Sequence, residues 1–297
     1  MFNFRIFYLF NIFIGVHISV SSAALLASGL VNKKYEELSD QFQSQFSKKA
    51  FSFYSQKNEW SHAESKYFIF HYASKIQMLK AYKEANFYLK IISQDCQLSR
   101  IPKGKKFNIW LFKSDSDWNT FCLNAGIGFV GGFAPHNGRE FLANFSHLGR
   151  KGSGLFAHEL THVVLRRKHK KTIPIWFNEG FAEYEADQAY ARYKKVQVRA
   201  DYRKTGNESV IELSSLVGYK KYPSNEYGRN SRSIFYTHSE ILTRLLIGKY
   251  GLKKFNLLGN ALVGGMPFKL AVKEVLKINN LAKIEKEYIR LAKKHVR

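Results

Sequence analysis

Apolar residues recur along this chain with two different periods. Leu38, Phe42 and Phe46 fall four apart within residues 30–50, the spacing of one helical face. Tyr67–Tyr72 (YFIFHY) is a short aromatic-rich run that predicts a strand, and residues 75–94 return to a helical period. Phe107–Phe112 (FNIWLF), entered after Pro102 and Gly104, predicts a second strand, and Glu140–Phe145 (EFLANF) a third. From Gly154 onward the pattern is mostly helical. Strands in the first half followed by helices in the second imply an α+β fold. No internal repeat or linker divides the rest. Residues 61–297 therefore read as one main domain, preceded by a helical segment over 25–60.

The first 24 residues stand apart from this pattern. Arg5 is their only charge, an apolar stretch follows from Ile6 to Val20, and Ser21, Ser22, Ala23 and Ala24 close the segment. A positive start, a short apolar run and small residues describe a signal peptide, with cleavage near Ala23 or Ala24. The run is short for a membrane span and is interrupted by Asn11 and His17, which favours cleavage over an uncleaved anchor. The expectation is export to a periplasmic or secreted location.

Composition adds one unusual feature. Forty-seven Lys and Arg stand against 23 Asp and Glu, a formal net charge of +24. The 25 Phe, 17 Tyr and 4 Trp exclude an intrinsically disordered chain, and two cysteines exclude a disulfide scaffold or a cysteine-based zinc cluster. Cys96 and Cys122 can pair in an oxidising compartment or remain two buried thiols; the sequence leaves both open. The charge raises nucleic acid, an anionic envelope surface or acidic substrates as partners, and export counts against nucleic acid. Gly126, Gly128 and Gly131 match the dinucleotide fingerprint, but Gly132 and Pro135 follow where a helix must begin, so the segment reads as a turn between strands.

The chemistry concentrates in one place. His158-Glu159-Leu160-Thr161-His162 is an H-E-x-x-H on a segment of helical apolar spacing. Four residues is close to one helical turn, so both imidazoles leave the same face and can bind one metal ion. Glu159 is then placed to accept a proton from water activated by that ion. A third protein ligand is required. A metzincin-type extension needs Gly at 165 and His at 168, where the chain has Leu165 and Lys168; His169 is one residue off and sits in a basic run. The alternative is a glutamate from a second helix. Pro174 opens the segment PIWFNEGFAEYE, and sixteen residues separate His162 from its Glu179, room for a helix end, a turn and a second helix packed alongside. Glu183, one turn later, can accept the free ring N–H of a ligand histidine.

HELTH followed by PIWFNEGFAEY resembles the gluzincin metallopeptidases, the peptidase MA-like group in which the third zinc ligand is the Glu of an Asn-Glu-Gly-type motif. The match spans roughly residues 154–187, and residues 234–262 are similar to the helical region that follows the site in such proteins. The resemblance implies a zincin-like fold: a small twisted sheet packed on the motif helix, then a mainly helical subdomain carrying the third ligand. It implies one Zn2+ per chain and hydrolysis of peptide or protein substrates, with His158, His162 and Glu179 as ligands, Glu159 as general base and Glu183 supporting a ligand imidazole. It also points to a Tyr or His of the later helices as oxyanion donor; Tyr236 and His238 are the candidates, with Tyr236 favoured. Phe141–Phe145, just before the motif, is the candidate edge strand for an extended substrate. The rival reading is a non-catalytic zincin-fold protein that binds peptide or an anionic envelope polymer. The intact Glu159 favours the enzyme.

Overall fold

The computed structural model describes residues 29–41, 44–55, 60–98, 100, 105–128, 130–145, 152–198, 210–224 and 231–295. The segment read as a signal peptide lies outside the described residues. Among the described residues no helix is long and apolar enough to cross a membrane. The architecture is α+β, built on a six-stranded mixed sheet.

The strands are β1 (Val31–Lys33), β2 (Ser61–Glu64), β3 (Phe68–Tyr72), β4 (Phe107–Phe112), β5 (Gly132–Phe133) and β6 (Glu140–Asn144). Their order across the sheet is β1-β2-β3-β4-β6-β5. β3, β4 and β6 run parallel, while β1-β2, β2-β3 and β5-β6 are antiparallel. Parallel strands need long crossovers, and helices supply them: α2 (Lys75–Asp95) joins β3 to β4, and α3 (Asp115–Ala125) leaves the end of β4. Both begin on a serine cap: Gln77 N–H donates to Ser74 Oγ and Asp117 N–H to Ser114 Oγ.

The apolar run of β4 is buried on both faces, which is why it reads as continuous rather than alternating. Phe107, Ile109 and Leu111 enter the larger core, while Trp110 and Phe112 enter a smaller aromatic one. The smaller core is closed by α1 (Gln45–Ser55), which contributes Tyr54, and by α3, which contributes Trp118, Phe121 and Cys122. Cys96, at the end of α2, lies in the larger core. Both thiols are free and buried, so the possibility of a disulfide is resolved against pairing: the sheet stands between them.

Two other expectations change. Residues 30–50 are not one helix: β1 pairs with β2, a single 3-10 turn spans Tyr35–Glu37, and α1 starts only at Gln45. The N-terminal segment thus contributes a strand and a covering helix to the sheet, because Val31–Lys33 supplies edge pairing that periodicity does not reveal. Nor is β6 the edge strand, since β5 pairs outside it through Gly132↔Ala143 and Phe133↔Leu142. Gly126 caps the end of α3 with φ 68° rather than opening a helix, consistent with a turn in that glycine-rich segment.

The larger core carries the remaining helices: α4 (Gly152–Lys168), α5 (Ile175–Lys194), α6 (Leu213–Gly218), α7 (Ser231–Val263), α8 (Phe268–Leu276) and α9 (Ala282–His295). α7 is interrupted at Gly251, where φ is +80°. α5 packs between α4 and α7. The basic end of α4 is tied down. Arg167 donates to the carbonyls of Gly138 and Lys106 and stacks 3.7 Å over the Phe107 ring, and Lys168 donates to Asn256 of α7. These cations also suit the negative end of the helix dipole.

Candidate metal centre

α4 and α5 bring the site together. Ile173, Trp176, Phe177 and Phe181 bury the entry and first turns of α5, and Pro174 sits at its N-cap. Gly180 then lets α5 meet α7 backbone to side chain. A Cβ there would fall 2.3 Å from the Ser239 carbonyl oxygen and 2.4 Å from Thr243 Oγ1. The glycine of Asn178-Glu179-Gly180 is therefore a packing requirement, and it fixes the turn that carries Glu179.

His158, His162 and Glu179 converge. The two Nε2 atoms lie 3.0 Å apart, and Glu179 Oε2 lies 3.5 Å from the first and 3.4 Å from the second. All three side chains are largely withdrawn from solvent, Glu179 to 2% exposure. Among the described residues Glu179 Oε2 has no hydrogen-bonding partner, an orphaned acceptor facing two imidazole nitrogens at distances too long for good hydrogen bonds. An orphaned oxygen aimed at two ring nitrogens is what a cation between them would satisfy. The cluster can hold a metal ion.

The electrostatics agree. Burial pulls the His158 imidazole down, but Glu183, Glu179 and Glu159 outweigh it and carry its pKa up to about 9. His162 is likewise raised against its burial, chiefly by Glu179. Burial pushes Glu179 upward, yet His162 and His158 hold it well below the usual carboxylate range. The arrangement attracts positive charge, by proton or by ion.

Supporting groups surround the cluster. Glu183 Oε1 lies 3.5 Å from His158 Nδ1, the ring nitrogen turned away from the cluster. Tyr222 Oη donates to Glu179 Oε1 at 2.6 Å. Glu159 is 5% exposed, its pKa raised by burial against the pull of His158 and His162. It packs directly on the edge strand: a Cβ on Gly132 would fall 2.9 Å from both its Cγ and its Oε1. The Tyr236 ring lies 6.3 Å from His158 and 6.2 Å from Tyr222 between centroids, and burial and then Glu179 raise its hydroxyl pKa.

His238 is elsewhere. Its Nδ1 bonds Tyr288 Oη, which donates in turn to the Ile211 carbonyl, so it braces α7 against α9. His169 is buried beyond the end of α4, its pKa lowered to about 4 by burial and Lys168.

Sequence reasoning missed three participants. Tyr222 lies 43 residues beyond Glu179 with no motif around it. His136 is close enough for His162 to depress it and Glu179 to raise it, after burial and Arg166. Gly132 carried a turn signal only. No protein-family model matches the chain, and no curated protein sequence does.

Proposed function

We propose that the chain is an exported zinc peptidase of the gluzincin type. The observation that carries the reading is the convergence of His158 Nε2, His162 Nε2 and the orphaned Glu179 Oε2 beside the buried Glu159. Two imidazoles and one carboxylate form a donor set that suits Zn2+. When bound, such an ion supplies Lewis acidity, polarising a carbonyl and acidifying water.

The chain's own residues supply the rest. Glu159 accepts a proton from the attacking water and delivers it to the leaving amine, and a carboxylate with a raised pKa suits both transfers. The Glu183 carboxylate, 3.5 Å from His158 Nδ1, favours the proton on that nitrogen and so leaves the Nε2 lone pair to the cluster. Tyr222 occupies Glu179 Oε1 and leaves Oε2 for the ion. Tyr236 stays protonated and donates to the developing oxyanion. The short strand β5, backed by Glu159 and outermost among the described strands, offers its free edge to an extended peptide. Residues 1–24 support export, and the excess of positive charge suits an anionic envelope surface.

Metal analysis of the purified mature protein, paired with peptide-cleavage assays of wild type and Glu159→Gln, tests the proposal. About one zinc per chain and turnover that depends on Glu159 are expected. A metal-free protein under non-chelating conditions would refute it. A metal-loaded protein that cleaves no peptide would leave a binding module instead.

A further inference from the structure

The cations around the cluster differ in one respect. Arg166 and Arg167 are spent on backbone carbonyls, and Arg244 is held by Glu240 and Asp187. Arg232, in the first turn of α7, is exposed and makes no ion pair with a described residue. It is nonetheless positioned. Its guanidinium carbon lies 5.0 Å from the centroid of the Tyr222 ring, the tyrosine whose hydroxyl bonds Glu179. A Cβ on Gly128 would lie 3.8 Å from its Nη1. Arg232 therefore stands one side chain from the metal cluster, against the glycine-rich segment that leads into the edge strand.

A guanidinium held over an aromatic face by a cation–π contact, with its donors unengaged by the described residues, is pre-organised for a planar anion. The described acids of the cluster are already committed. Glu179 is turned to the histidines, Glu159 is buried beside Gly132, and Glu183 faces His158. Successive residues of an extended peptide are about 3.3–3.6 Å apart, so a chain lying across the cluster brings groups within a few residues of the scissile bond under Arg232.

We propose that Arg232 is a specificity residue that binds a carboxylate of the substrate near the scissile bond. The substrate class is then peptides that are acidic at that position, or that end there in a free carboxylate. The inference rests on the peptidase reading above.

Three otherwise identical peptides test it. One carries Glu near the cleavage site with an amidated C-terminus, one carries Gln with an amidated C-terminus, and one carries Gln with a free C-terminus. Two readouts are taken: kcat/KM of the metal-loaded wild type and Arg232→Gln, and equilibrium binding to Glu159→Gln with and without Arg232→Gln. At least one carboxylate peptide is expected to exceed the amidated Gln peptide by about tenfold in both readouts, since charge-assisted pairs are the stronger hydrogen bonds. Arg232→Gln is expected to erase that ratio. Which carboxylate peptide gains distinguishes an acidic side chain from a chain end. Equal rates and affinities for all three peptides, or a preference that survives Arg232→Gln, would overturn the assignment while leaving the peptidase reading intact. Absence of cleavage of every peptide by metal-loaded wild type would overturn the peptidase reading, and the binding ratio would then decide Arg232 alone.

Discussion

Tyr222 Oη and Glu179 Oε1 are 2.6 Å apart, and that bond divides the carboxylate between two tasks. One oxygen is held by a phenol and the other is left facing His158 and His162. Groups that orient a metal ligand in this way typically contribute about 10–100-fold to metal affinity. Tyr222→Phe is accordingly expected to weaken zinc binding by about that factor, read by competition against a chromogenic chelator, with the thermal stability of the metal-free protein little changed. Unaltered affinity would remove Tyr222 from the centre.

Tyr236 separates from Tyr222 by experiment. Its ring flanks His158 without a bond to any ligand oxygen. Tyr236→Phe is expected to lower kcat by about 10²–10³, the usual cost of one oxyanion donor, at normal zinc content. A fall in zinc content of similar size would make Tyr236 a structural support.

Gly180 allows no side chain. With Ser239 O and Thr243 Oγ1 as close as they are, Gly180→Ala must part α5 from α7 and shift Glu179 with it. Overpacking of this kind costs about 1–3 kcal/mol. Denaturant unfolding should show that loss together with reduced zinc affinity; a loss of stability with normal affinity would mean that the glycine serves packing only.

Glu185 is fully buried, neither carboxylate oxygen has a hydrogen-bonding partner among the described residues, and burial and then Asp95 push its pKa well above the usual range. The folded protein keeps this proton while the unfolded chain releases it above its ordinary carboxylate pKa, so stability falls as pH rises above about 4.5. Glu185→Met is expected to stabilise at pH 7 by about 1–3 kcal/mol, the scale for removing an unpartnered buried polar group. The gain should shrink toward pH 4. A destabilised variant at pH 7 contradicts this.

A histidine pair sets an opposite trend in acid. His62 Nδ1 and His71 Nδ1 face each other at 2.9 Å across β2 and β3, with His71 stacked 3.7 Å from Trp110 and bonded to Asn108. Burial lowers His71 to about 3, aided by His62, and lowers His62 to about 4 against the pull of Glu36. Both are neutral in the fold and take up protons near pH 6.5 when unfolded. Stability should therefore drop as pH falls from about 6.5 to 4. Urea unfolding at several pH values reads the slope, and the double change His62→Phe and His71→Phe should flatten it. A slope identical in both proteins would refute the assignment.

Legibility in the sequence followed how local the cause was. His158 and His162 share a face because they are one turn apart, and Glu179 follows on the next helix; both facts are short-range. The strands at 68–72, 107–112 and 140–144 were visible because β-branched and aromatic runs announce themselves wherever they are buried. β1 and β5 were not, being three and two residues long and defined only by their partners. Tyr222 and Arg232 were invisible for the same reason. One lies in a loop and the other at a helix start, and only the packing of α7 on α5 brings them to the cluster.

The sheet that separates Cys96 from Cys122 has a consequence for the life of the chain. A protein with two thiols that crosses from reducing to oxidising solution ordinarily risks a change of covalent connectivity. Here each thiol is enclosed in its own layer, with a pKa raised by burial that suppresses the reactive thiolate. The fold is thereby indifferent to redox poise. In its folded form it has no disulfide to gain or to lose.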